Sequence, residues 1–125
     1  MTVEPIRDKE KIKQMYQLLR GKDEKYALLF KFGLNTGLRI SDIIPLKVKD
    51  IMDANMQFHD YLILREKKTG KEKKIKVNNA LKKLIVEYVK NADLSYESYL
   101  FPSKKGGFIG RIQAYRVLKE CADLL

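Results

Sequence analysis

The sequence predicts an α+β fold, mainly α-helical with one small antiparallel β-sheet. Apolar residues recur at helical spacing in segments starting near residues 8, 23, 78 and 112. By contrast, residues 61–77 alternate apolar and basic side chains on either side of a glycine turn. Between these regions, residues 34–46 set one arginine and one carboxylate in an apolar run broken by glycine.

The elements follow from local signals. Asp8 is a cap for a first helix with Ile12, Met15, Tyr16 and Leu19 on one face and Gly21 as its stop. Asp23 opens a second, through Tyr26, Ala27, Leu28, Leu29, Phe30 and Phe32 toward Gly37. This helix is apolar on most sides and therefore central. Ser41 is read as the cap of a short helix after Arg39, with Asp42 in its first turn and Pro45 limiting its length. Residues 47–51 then lead into a β region. Strands are expected at 61–64 and 74–77, joined by a turn at 67–71 in which Gly70 takes positive φ.

Asn78 or Asn79 caps the next helix, which carries Leu81, Leu84, Ile85, Tyr88 and Val89. A polar loop over 91–98 ends at Tyr99-Leu100-Phe101-Pro102, and Lys104-Lys105-Gly106-Gly107 makes a second basic turn. The last helix, 112–125, shows apolar spacing through Ala114, Val117, Leu118, Cys121 and Leu125. With no internal repeat and no second domain in view, residues 1–125 read as a single domain.

Composition narrows the partners. The 125 residues hold 26 Lys and Arg against 16 Asp and Glu, a formal net charge of +10. Such an excess favours nucleic acid or an acidic membrane surface, unless it is only a solvated lysine-rich surface. Cys121 is the lone cysteine, so no internal disulfide forms. The expectation is a reducing compartment, with Cys121 as a core residue. The first five residues lack the pattern of a signal peptide, and no apolar run approaches ~20 residues, so the expectation is a cytoplasmic protein with no membrane span.

Arg39 is the residue most in need of a partner. Set among apolar neighbours, it is costly to bury unless a fixed anion meets it. Asp42 could supply that anion internally, but a guanidinium is also the better cation for gripping phosphate oxygens with two bonds. We read it as a phosphate contact, with Asp42 holding the guanidinium in place. The hairpin is the densest basic segment, with Arg65, Lys67, Lys68, Lys71, Lys73, Lys74 and Lys76 against Glu66 and Glu72. Lys104, Lys105 and Arg111 extend the basic character. A ribbon of this kind lies readily along a phosphate backbone. An edge hairpin that lysines protect from aggregation is an equal reading of the hairpin alone. No phosphate-binding glycine loop or dinucleotide fingerprint is present, so no nucleotide cofactor is expected. One histidine (His59) and one cysteine make no zinc site, so no metal is expected either.

Three ordered motifs resemble the tyrosine recombinase (phage integrase) family. Asn35-Thr36-Gly37-Leu38-Arg39-Ile40-Ser41-Asp42, followed by Leu46-Lys47-Val48-Lys49-Asp50-Ile51, resembles the family's first catalytic box. Lys68-Thr69-Gly70-Lys71 resembles its hairpin lysine motif, and Tyr99-Leu100-Phe101-Pro102-Ser103 resembles the segment before its next helix. The resemblance implies attack by a tyrosine on a DNA phosphodiester, giving a 3′-phosphotyrosyl link and a free 5′-hydroxyl, with no metal or nucleotide. It implies that Arg39 stabilises charge on the non-bridging oxygens, that Lys68 protonates the leaving 5′-oxygen, and that Asp42 supports the site. Lys67 and Lys71 are the near-neighbour alternatives to Lys68.

The family's later His-x-x-Arg and nucleophilic tyrosine are not matched in this chain, and neither is its N-terminal core-binding domain. Tyr115, upstream of that tyrosine's place, is read as packing or a backbone contact. The resemblance therefore implies the N-terminal part of a catalytic domain that binds double-stranded DNA, from a protein that is tetrameric on DNA when intact. The alternative is a non-catalytic basic nucleic-acid-binding module. A third reading is a basic protein-interaction domain.

Overall fold

The computed structural model describes residues 8–125. Along them run α1 (Lys9–Lys22), α2 (Glu24–Thr36), α3 (Ile40–Ile43), α4 (Val48–Ile51), β1 (Leu62–Arg65), β2 (Glu72–Ile75), α5 (Asn79–Asn91) and α6 (Arg111–Asp123). The fold is mainly helical with a two-stranded antiparallel sheet, as the periodicity predicts.

Carboxylate and amide caps set the helix starts. Asp8 accepts from the Glu10 N–H at 2.9 Å, and α1 buries Met15 and Leu19. Gly21 does not stop α1. Asp23 does so from an extended backbone, its N–H donating to the Leu19 carbonyl at 2.9 Å. Its side chain accepts from the Lys25 N–H at 3.1 Å and opens α2. Because one residue closes a helix and starts the next, Gly21 remains helical at a cost of only about 1 kcal/mol. Of the two candidate caps for α5, Asn78 is the one used, accepting from the Leu81 N–H at 2.8 Å.

Helix α2 is central, burying Tyr26, Ala27, Leu28, Leu29 and Phe32 and packing against α1, α3, α5 and α6. It ends at Gly37, in the left-handed region at φ 72°, whose N–H donates to the Gly33 carbonyl at 2.9 Å. Leu38 then turns into the core while Arg39, extended at ψ 150°, faces solvent.

Three expectations along the middle of the chain are corrected. Ser41 does not cap α3. The Arg39 carbonyl already accepts from Asp42 and Ile43, so Ser41 lies inside the turn. Residues 48–51 form a helix rather than a lead into the sheet, because Asp50 Oδ2 accepts the Lys47 N–H at 2.8 Å and holds a helical first turn. The strands also sit elsewhere than 61–64 and 74–77. The register pairs Leu62 with Ile75 and Arg65 with Glu72, so the return strand starts two residues early. The last helix is likewise shifted, starting at Arg111 and ending at Asp123.

Residues 99–102 thread through the core, with Leu100 and Phe101 fully buried. The Leu100 N–H donates to the Leu46 carbonyl at 2.8 Å, and the Tyr88 hydroxyl donates to the Leu100 carbonyl at 2.7 Å. Burial of Tyr88 pushes its phenol far above the usual tyrosine range. Cys121 is a buried core residue, and among the described residues no helix is long and apolar enough to cross a membrane.

Candidate nucleic-acid interface

Arg39, Ser41, Lys67, Lys68, Arg111 and Tyr115 line one open cleft of about 480 Å³. Four of the six carry positive charge, and none is acidic. Three separate stretches of chain supply them: the start of α3, the hairpin turn, and the first turns of α6. Arg39 and Lys68 thus meet, together with Lys67 and Arg111.

Arg39 is exposed, which removes the premise that it is a costly buried charge. It takes part in no ion pair among the described residues. Asp42 does not hold its guanidinium. Asp42 is the one buried charged residue among those described, only 6% exposed, and its Oδ1 accepts the Lys67 N–H at 3.1 Å. The carboxylate therefore ties the hairpin turn to α3. An anion suits that task, since a charged acceptor attracts an N–H more strongly than a neutral one does.

The other hairpin cations do not line this cleft. Arg65 reaches across the turn, its Nη1 donating to the Gly70 carbonyl at 2.7 Å. With Gly70 at φ 70° and its N–H donating to the Glu66 carbonyl at 2.8 Å, this closes the loop that carries Lys67 and Lys68. Lys74 lies 4.1 Å from the centre of the Tyr61 ring, while Lys71 and Lys73 are exposed. Lys104 and Lys105 line a second, larger cleft of about 600 Å³ with Lys22, Lys25 and Gln113. There Lys25 pairs with Asp23 at 3.6 Å and Lys22 with Glu120 at 3.3 Å, and among the described residues Lys104 and Lys105 have no acidic partner. Helix α6 separates the two clefts, showing Arg111 and Tyr115 to one and Gln113 and Val117 to the other.

Sequence reasoning missed Ser41 as a cleft residue, having used it as a cap. Tyr115 is 54% exposed on the cleft and is not core packing. Its place off the buried stripe of Ala114, Val117 and Cys121 was the available signal. His59 is exposed, with Nε2 2.9 Å from the Lys49 carbonyl and outside the cleft.

The family model described as the phage integrase family matches residues 7–124. The probable integrase/recombinase YoeC of Bacillus subtilis (strain 168) is 46% identical over 121 residues, which is 96% of this chain and 63% of that protein. Tyrosine recombinase XerH of Campylobacter jejuni is 28% identical over 120 residues, 90% of this chain and 32% of its own length. The chain thus spans less than two thirds of either relative. Among solved structures, XerA recombinase matches with a TM-score of 0.70 and 16% identity over 98% of this chain and 43% of that one. Lambda integrase (residues 75–356), in a structure bound to DNA, matches with a TM-score of 0.71 and 16% identity over 98% of this chain and 44% of that one. At this identity the two structures speak for the fold. The match of the family model to almost every residue goes further: the chain belongs to the phage integrase family.

Proposed function

We propose that these residues form the phosphate-gripping part of a site-specific tyrosine recombinase and bind the backbone of double-stranded DNA. The observation that carries this reading is the cleft in which Arg39 and Lys68 meet Lys67 and Arg111 with no carboxylate lining it. Arg39 Nη and Nε groups donate to the non-bridging oxygens of one phosphodiester, where negative charge grows as a nucleophile adds. The Lys68 ammonium donates its proton to the 5′-oxygen as the P–O5′ bond breaks. Lys67 and Arg111 grip flanking phosphates, and Asp42 supports the site through the Lys67 backbone. Lys68 is preferred to Lys71 as the acid because Lys68 lines the cleft and Lys71 does not.

The 125 residues contain no His-x-x-Arg, so on this reading they bind duplex DNA without cleaving it. Arg65, Lys73, Lys74, Lys104 and Lys105 add backbone contacts that carry no sequence information. The tetramer assembled on a Holliday junction in the lambda integrase structure supports a multimeric intact protein. Incubation with a nicked suicide duplex tests the division of labour, and a covalent protein–DNA adduct overturns it. Arg39→Lys tests the cleft: loss of bidentate donation should weaken duplex binding about tenfold. Unchanged binding would favour a non-catalytic basic module.

A further inference from the structure

Phe108 closes the turn that carries Lys104 and Lys105, and its own ring takes no part in gripping phosphate. The Ser103 N–H donates to the Gly107 carbonyl at 3.0 Å and the Gly106 N–H to the Ser103 carbonyl at 3.1 Å. With Gly106 at φ 100° and Gly107 at φ 67°, the chain doubles back and sets Phe108 opposite Pro102. Such positive φ values at two successive positions are open to glycine and strained for most other residues. The Phe108 ring then packs edge-on against Tyr99, with ring centres 5.5 Å apart at 61°. Tyr99 is fixed in turn by its bridge pairing with Lys47, whose Nζ lies 5.0 Å from the Tyr99 ring centre.

The hairpin turn comes to rest on this stack. Lys67 Nζ lies 5.9 Å from the centre of the Phe108 ring, while the Lys67 N–H is held by the buried Asp42 carboxylate at 3.1 Å. Lys67 is therefore gripped at both ends, its backbone by α3 and its side chain by the 103–108 loop. Lys68 is the next residue along and enters the Arg39 cleft.

We propose that Phe108 is a positioning residue: seated on Tyr99, its ring holds the Lys67 side chain so that the hairpin turn presents Lys68 to the bound phosphate. The proposal rests on the phosphate reading of the cleft. It adds that the two basic loops, 66–71 and 103–108, are set relative to each other by one cation–ring contact. A contact at this distance on a half-exposed ring changes an equilibrium by about two- to fivefold.

Two conservative replacements separate the ring face from its bulk. Phe108→Tyr keeps the aromatic face, whereas Phe108→Leu keeps the apolar packing and loses the face. Phe108→Leu should speed hydrogen exchange at the position-67 amide about two- to fivefold and weaken binding of a labelled duplex by a similar factor. Phe108→Tyr should match the wild type in both. The weakening should shrink in a Lys68→Ala background, where only the Lys67 contact with a flanking phosphate is left for the ring to act through. Equal weakening with and without Lys68, or position-67 exchange unchanged by Phe108→Leu, overturns the proposal. Lys67→Met, which leaves the core untouched, gives the arm that needs no DNA. It should speed exchange as Phe108→Leu does, and the two together should do no more than either alone. Additive effects overturn the clasp. If the wild type fails to bind duplex, the phosphate reading falls while the exchange arm still decides the role of Phe108.

Discussion

Duplex binding by this chain should fall steeply with salt, and the size of the fall follows from the cleft. Arg39, Lys67, Lys68 and Arg111 line it together. If each neutralises one phosphate, the logarithm of the binding constant falls against the logarithm of salt with a slope of about −3.6. Between about 50 and 200 mM salt, affinity then drops on the order of 150-fold. Engagement of Lys104 and Lys105 in the second cleft would steepen the slope to about −5.4, and further contacts from Arg65, Lys73 and Lys74 to about −8.1. Fluorescence anisotropy of a labelled duplex, titrated across that salt range, reads the slope directly. Arg39→Gln should remove about 0.9 of it, and Lys104→Ala with Lys105→Ala should remove about 1.8 if the second cleft also holds the backbone. A wild-type slope shallower than about −1 would refute the phosphate reading and leave a basic protein-interaction face. A slope that Arg39→Gln leaves untouched would remove Arg39 from the contact.

Asp42→Asn keeps an oxygen for the Lys67 N–H and should cost at most about 1 kcal/mol in urea unfolding, whereas Asp42→Ala should cost about 1.5–3 kcal/mol. Equal losses would mean that the charge of Asp42 matters and its acceptor oxygen does not. Stability should also fall as pH rises past 10.0, the ordinary tyrosine value, because burial raises the Tyr88 phenol and the unfolded chain ionises before the folded one. Tyr16 and Tyr26 are raised by burial in the same direction. Urea midpoints across about pH 8–11 should therefore decline at the alkaline end. Tyr88→Phe should flatten that decline while losing the hydrogen bond to Leu100 at neutral pH.

What the sequence made legible was mostly local. Asp8, Asp23 and Asn78 cap helices through bonds to residues two or three positions away, so a short window reveals them. The α4 helix was equally local, since Lys47 and Asp50 stand three apart, but strand-like neighbours masked it. Arg39 misled for a different reason. Leu38 is buried and Ile40 half-buried, yet the left-handed turn at Gly37 and the extended backbone at Arg39 swing the intervening side chain outward. No periodicity reports a single non-helical residue. The Asp42–Lys67 bond spans 25 positions, and Arg39 meets Arg111 because α3 and α6 pack on each other and both on α2. Such meetings are properties of the fold. The family resemblance named Arg39 and Lys68 and left Tyr115 as either packing or a backbone contact, but it did not single out Ser41, which lines the same cleft, or Phe108, which touches Lys67.

The exposure of Arg39 changes how the cleft has to work. A guanidinium already buried would need a permanent counter-ion, and that partner would compete with phosphate. An exposed, unpaired one stays hydrated and free, so its affinity must come from being held in place. The left-handed Gly37, the buried Leu38 and the start of α3 fix its backbone, and the Asp42 tether fixes the hairpin lysines on the other side. The one buried charge among the described residues thus serves geometry rather than neutralising a cation. On the phosphate reading, the cations lose water only when a duplex covers the cleft, and their attraction to phosphate then strengthens because the local dielectric falls. A charge placed this way contributes little to the stability of the free chain and would contribute much to a bound state, as the phosphate reading requires.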